Sequence, residues 1–224
     1  MSHSGTVFLA GASRGVGREI AHLLVQDEVK VNALLRSEAA RPELEALGVT
    51  VAIGDALNLA EVQAAMRAEP IWAVISTIGG LPKDGQRADY LGNRNLIDAA
   101  VQAGVERFIL VSSIGSGNSA VALPPQALQT LGAVLAEKDQ AEQHLMASGL
   151  TYTIVRPGGL KSEPATGNGL LTPDPTIAGT IHRADVAQLV CRCLRSDRAN
   201  NRVLSAIDRH MVYGQPDIEE LELF

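Results

Sequence analysis

The chain has 224 residues, a formal net charge of −6, 46% hydrophobic and 20% charged residues. That length suits one domain with a full core, and the composition excludes a disordered chain. Two cysteines rule out a disulfide framework, and the acidic balance, with 19 Lys and Arg dispersed rather than interleaved with aromatics, speaks against a nucleic-acid partner.

In chain order, short β-branched runs alternate with longer helical patterns. TVFLA (6–10) reads as a buried strand bounded by glycines, and Val16, Ile20, Leu23 and Leu24 fall at helical spacing across 15–26. A strand at 29–35 follows. Ser37 then caps a short helix ending before Gly48. After a strand at 49–53, Asn58 and Glu61 form a capping-box-like start for a helix through Arg67. A strand at 71–77, a helix at 86–102 stopped by Gly104 and a strand at 107–113 come next. Beyond a Gly/Ser loop with Pro124 and Pro125, the pattern predicts a helix over 130–148, a strand at 150–155, a long loop at 157–181, a helix over 184–195 and a strand at 203–206. The acidic tail EELELF reads as a solvated or frayed end. This alternation predicts an α/β fold, a parallel sheet with helices on both faces, in one domain spanning 1–224. No run reaches the ~20 apolar residues of a membrane span, and the start MSHSGTVFLAGAS has no basic leader region, so the expectation is a cytoplasmic protein. Histidines are scattered without metal-ligand spacing, and Cys191 and Cys193, two apart on a helix, cannot pair or share a metal.

The strongest local signal is GASRGVG at 11–17, between the first strand and the first helix. A dinucleotide needs its diphosphate held against backbone N–H groups at a helix N-terminus, where side chains would obstruct it. The glycines are Gly11, Gly15 and Gly17, and Ser13, Arg14 and Val16 complete the cradle. At the end of the second strand, where an acidic residue would hold a ribose 2′-hydroxyl, this chain has Arg36 followed by Ser37. A guanidinium matches phosphate oxygens, and Arg14 can add a second charge, so the sequence predicts NADP(H) rather than NAD(H). Asp55 and Ala56 after the third strand, and Thr77 and Gly79 in STIGG (76–80), are assigned to the adenosine side, with Asp55 alternatively an Asx-turn residue.

GASRGVG, GDALN, ISTIGG, NRNLIDAAVQAGVERFILVSS and SGLTYTIVRPGGL, in this order, resemble the short-chain dehydrogenase/reductase superfamily. They resemble most its atypical branch of NAD(P)-binding proteins related to NmrA and to biliverdin-IXβ/flavin reductase. The resemblance covers about residues 5–195 and implies a single doubly wound Rossmann domain. In it, the loops near 114–130 and 157–181 shape the substrate pocket. The superfamily's reductases use a serine after the fifth strand and a Tyr-x-x-x-Lys on the next helix. Ser113, with Ser112 beside it, and Lys138 match, but Val134 stands where the tyrosine belongs. Tyr90, Tyr152 and Tyr213 are the chain's only tyrosines, and none precedes a lysine by four. The resemblance assigns Ser113 and Lys138 as catalytic, with Ser112, Lys138, Pro157, Gly158 and Gly159 at the nicotinamide end. The plainer role for Ser113 is to satisfy backbone groups at a strand end, and that for Lys138 is an exposed pair with Glu142, four residues on. His182 is expected to be structural or pocket-lining, Asp185 to cap or charge the N-terminus of the following helix, and Met211 and Tyr213 to line the pocket.

A positioned donor to a developing alkoxide is worth roughly 2.7–4 kcal/mol, so loss of the tyrosine disfavours simple ketones and aldehydes. A conjugated acceptor, a flavin or linear tetrapyrrole, spreads the added charge and takes its proton from solvent. The sequence therefore predicts an NADPH-dependent reductase of such a small-molecule acceptor, with no membrane partner. The alternative is an NmrA-like NADP(H)-binding regulatory or assembly protein without turnover. Atypical members are often monomers, and the resemblance carries that expectation here.

Overall fold

The computed structural model describes residues 5–80 and 86–224. β1 (Thr6–Ala10) leads through the glycine turn into α1 (Gly15–Gln26); β2 (Val31–Leu35), α2 (Arg41–Ala46), β3 (Thr50–Ile53), α3 (Leu59–Arg67), β4 (Ile71–Ser76), α4 (Leu91–Ala103), β5 (Arg107–Val111), α5 (Pro125–Ala147) and β6 (Thr151–Pro157) continue the alternation. β7 (Gly159–Lys161), β8 (Gly169–Thr172), β9 (Thr180–His182), α6 (Arg183–Leu194) and β10 (Arg202–Asp208) complete it. Among the described residues the main sheet has the order β3-β2-β1-β4-β5-β6-β10-β8. Residues 1–4, on which the expected lack of a leader partly rests, lie outside the described residues.

Burial on both faces explains why TVFLA is apolar at nearly every position. Val7 and Leu9 pack on one face with Ile20 and Leu24 of α1 and Val186 and Val190 of α6. Phe8 and Ala10 pack on the other with Val62, Leu96, Ile97 and Leu145 of α3, α4 and α5. The predicted doubly wound α/β layering is therefore present. α4 ends as its sequence requires: Gly104 takes a left-handed conformation (φ 70°) and donates its N–H back to Ala100 and Val101. The start of α3 is a variant of the expected box. Asn58 accepts from the Ala60 N–H at 3.1 Å, while Glu61 reaches the Asp55 N–H at 2.7 Å.

The structure corrects four expectations. α5 begins at Pro125, not near 130, because proline is suited to the first turn, where its missing N–H costs nothing. α4 begins at Leu91 rather than 86. The segment 157–181 is not a plain loop: it contains β7, β8 and β9, and β8 pairs antiparallel with β10, so the sheet is parallel only up to its last strand. Short runs such as GLLT become strands only when an edge accepts them, a tertiary effect with no local signature. Lastly, the tail is not frayed. Leu223 is buried, its carbonyl accepts from Ser196 Oγ, and the Leu221 N–H donates to Leu171 at 2.8 Å.

Cys191 and Cys193 of α6 are both free, and both are buried in the core. Burial pushes each thiol up from 9.0 to about 12. Because the folded value is the higher one, their contribution to stability is complete below pH 9 and is lost as pH rises towards 12. Both thiols are therefore expected to resist a water-soluble alkylating reagent in the native protein at pH 8 and to react at once in urea. A Cys191→Ala/Cys193→Ala variant should show a flatter loss of stability above pH 9. Fast native labelling of either thiol would contradict this burial.

Candidate functional site

The sequence-predicted residues gather along one edge of the sheet, at the carboxyl ends of β1 to β6. This is where open α/β sheets take ligands, and the order switches direction at β1, which lies between β2 and β4. At the glycine turn, Gly11 has φ 96° and Gly15 φ 60°. A side chain on Gly17 would overlap the Gly11 carbonyl and Thr77 Oγ1, so only glycine lets α1 start this close to β1. Thr77 fastens β4 to the same turn: its N–H donates to Ala10 at 2.9 Å and its hydroxyl to Ala10 and Gly11 at 3.2 and 3.3 Å.

The first turn of α1 has no side-chain cap and no acidic residue. Its N–H groups and the positive end of its dipole are thus left for an external acceptor. Ser13, Arg14, Arg36 and Ser37 are exposed at the ends of β1 and β2, and neither arginine is in an ion pair among the described residues. Asp55 closes an Asx turn by accepting from the Leu57 N–H at 2.9 Å, and the Ala56 carbonyl accepts from Asn95 at 2.9 Å. These residues fit a nicotinamide dinucleotide. The uncapped helix end suits its diphosphate and the two unpaired guanidiniums its further anionic groups.

Lys138 does not pair with Glu142. Its Nζ lies 3.0 Å from Oδ1 of Asp89, a fully buried carboxylate just before α4. Asp89 also accepts from the Gly80 N–H at 3.1 Å. A Cβ on Gly79 would overlap Asp89 and come within 3.0 Å of Nζ, so the absence of a side chain at Gly79 is used by the protein's own ion pair. Val134 is half-buried, one turn before Lys138 on α5.

Glu142 has a different partner. It forms a buried pair with Arg156 of β6 at 2.6 Å, and Ser112 donates to it as well. Arg156 also donates to Asn118 at 2.6 Å, which anchors the turn after β5 to the end of β6. Ser112 is therefore engaged inward. Ser113 is half-buried, and its hydroxyl donates to the Ile114 carbonyl at 2.9 Å. Pro157, Gly158 and Gly159 follow Arg156, and a Cβ on Gly158 would overlap the Gly179 carbonyl.

Around α6, His182 is buried, with Nδ1 2.6 Å from the Pro164 carbonyl. Asp185 stands in the first turn of α6, as one of its two expected roles requires, but makes no cap: its carboxylate accepts the N–H groups of Thr166 at 2.9 Å and Gly167 at 2.8 Å, holding the β7–β8 connection. Met211 is half-buried and Tyr213 is 62% exposed. Residue-by-residue reading missed Asp89 and Arg156 and gave Glu142 the wrong partner. The available signal was an arginine inside the apolar strand TIVRP, since a charge there must find a partner. Among the described residues no cluster of three potential metal ligands occurs.

This fold and site define a dinucleotide-binding α/β protein. The match to the NAD(P)H-binding family runs over residues 11–197. The chain belongs to that family, within the atypical short-chain dehydrogenase/reductase superfamily, and NAD(P)(H) is its cofactor class. It is similar to ChuY, an anaerobillin reductase from Escherichia coli O157:H7, with 36% identity and a TM-score of 0.84 over 95% of this chain and 100% of that one. It is 30% identical over 244 residues to sanguinarine reductase of Eschscholzia californica, covering 88% of this chain and 86% of the relative. It is 31% identical over 229 residues to Protein TIC 62 of Oryza sativa, covering 90% of this chain and 46% of that protein.

Removing one side of a buried ion pair strands the other charge. Arg156→Met is therefore expected to lower the unfolding free energy by about 3–5 kcal/mol in urea titrations, and adding Glu142→Gln to restore part of it. A loss below about 1 kcal/mol from the single substitution would show that the pair does not organise this end of the sheet.

Proposed function

We propose that this protein is an NADPH-dependent reductase that passes hydride to a conjugated small-molecule acceptor, a flavin or a linear tetrapyrrole, without a tyrosine proton donor. The observation that carries this reading is the surface of α5 beside the site. It offers Val134 where a phenol would stand, and a Lys138 already held by Asp89. Such a site has little to stabilise a localised alkoxide, whereas an acceptor that spreads charge over a π-system does not require it. Two relatives named for reductases, ChuY and sanguinarine reductase, support the class of activity.

In this reading the α1 amides and Arg14 hold the diphosphate, and Arg36 with Ser37 takes the 2′-phosphate. Asp55, Ala56, Thr77 and Gly79 border the adenosine. The bound coenzyme supplies a hydride equivalent. The protein positions the acceptor against it, with Ser113 hydrogen-bonding the acceptor or a water once its hydroxyl turns from the Ile114 carbonyl. Lys138, held in place by Asp89, is left to hold the nicotinamide ribose hydroxyls with its remaining N–H groups. The end of β6 at Pro157, Gly158 and Gly159 closes the nicotinamide side, and the segments at 114–130 and 157–181 wall the acceptor pocket. One domain spanning 1–224 and a monomer in the cytoplasm belong to the same proposal. Among the described residues no helix is long and apolar enough to cross a membrane.

A second reading is a nucleotide-binding partner protein without turnover. The Asp89 contact favours it by occupying Lys138, and the similarity to TIC 62 gives it a precedent. The two separate in an optical assay of NADPH oxidation with free flavin, biliverdin and a quinone. The reductase reading predicts turnover above the protein-free rate with at least one acceptor. It also predicts that Arg36→Glu raises the KM for NADPH about tenfold or more while leaving that for NADH nearly unchanged. No turnover with any acceptor would favour the second reading, and equal losses for both coenzymes would remove Arg36 from the 2′-phosphate.

A further inference from the structure

Arg183, the first residue of α6, sits in an unusual electrostatic position. Its Nε and Cδ lie 3.6 and 3.7 Å from the point where a Cβ on Gly15 would be. Its guanidinium therefore lies against the first residue of α1. Its Nη1 donates to Ser162 Oγ at 2.7 Å and, more weakly, to the Leu160 carbonyl at 3.4 Å. Those partners are neutral. Among the described residues no carboxylate forms an ion pair with Arg183, and nearby Glu163 faces His182 at 3.8 Å instead. The surroundings add positive potential. Arg14 is exposed beside the turn, Lys161 is exposed on β7, and α1 starts without a cap or an acidic residue. Arg18, one turn into α1, is neutralised by Glu43. Asp185, the acidic residue in the first turn of α6, is buried and spends its carboxylate on the Thr166 and Gly167 amides. The guanidinium thus stands beside a positive helix end with neutral acceptors only, and an anion at the turn would meet both.

We propose that Arg183 is a ligand of the coenzyme diphosphate, reaching it from the far half of the fold, and that it thereby couples coenzyme occupancy to the β7 segment. This rests on the diphosphate lying at the glycine turn. The coupling follows from connectivity. β7 begins at Gly159, one residue beyond the end of β6, pairs with β9 immediately before Arg183, and is tied to the Arg183 head group through Ser162 and Leu160. An anion at the turn fixes the guanidinium, and the guanidinium then fixes the strand that borders the acceptor side. Arg183 and Arg36 thus have separate tasks. The first meets a group that NAD and NADP share, and the second a group that only NADP carries.

The test is calorimetry of NADP+ and NAD+ binding to the native protein, Arg183→Gln, Arg183→Lys and Arg36→Glu, with amide hydrogen exchange of residues 159–163 measured with and without NADP+. Arg183→Gln is expected to weaken both coenzymes by a similar factor of about ten or more, with Arg183→Lys in between, while Arg36→Glu weakens NADP+ selectively. NADP+ should slow exchange over 159–163 in the native protein and much less in Arg183→Gln. Ser162→Ala should keep most of the affinity and lose that protection. If Arg183→Gln folds poorly, the Lys variant carries the same comparison, because it keeps the charge and loses the fork. Native affinity for both coenzymes in the Arg183 variants would overturn the proposal, as would a loss confined to NADP+. Failure of the native protein to bind either coenzyme would instead remove the cofactor site on which it rests.

Discussion

The structure depends on one close backbone approach. α1 begins against the carbonyl of Gly11, and Thr77 ties that carbonyl to the end of β4. Any side chain on Gly17 would push the helix away from the strand. Because this contact lies where β1 is flanked by β2 on one side and β4 on the other, it sets the crevice between the two halves of the sheet. It also aims an uncapped helix end into that crevice. The packing that glycine permits is therefore also what leaves the helix end open towards the crevice.

The other end of the site is organised by charge rather than by glycine. Arg156 and Glu142 join β6 to α5, and Asn118 extends the link to the turn after β5. Asp89 and Lys138 join the start of α4 to α5 beneath Gly79 and Gly80. Buried pairs of this kind add little net stability over apolar packing, but they tolerate few alternative geometries. They set where Ser113, Val134 and the Pro157–Gly159 turn stand relative to one another. A lysine held in this way keeps its Nζ in one place beside Gly79.

Much of this was legible in the sequence. The periodicity located β1, α1 and α6 within two residues, Gly104 ended α4 as expected, and the glycine turn marked the crevice. What could not be read was set by tertiary context. GLLT became an edge strand because β10 offered it an unpaired side, and the acidic tail docked because Leu171 and Ser196 supplied partners for its backbone. The charged residues were the least legible. Glu142 at four residues from Lys138 satisfies the helix-pair rule, yet a guanidinium from β6, distant along the helix-pair pattern, takes it instead. Asp89 gave no local sign of being buried. The same physics limits the site assignment, since which buried groups neutralise one another decides which are left to meet a ligand.

The most direct measurement is a crystal structure of the protein grown with saturating NADP+. The account predicts the diphosphate within hydrogen-bonding distance of the backbone N–H groups of residues 15–17, with the 2′-phosphate against the guanidinium of Arg36. A coenzyme ordered elsewhere on the molecule, or no coenzyme at an otherwise open turn, would contradict it.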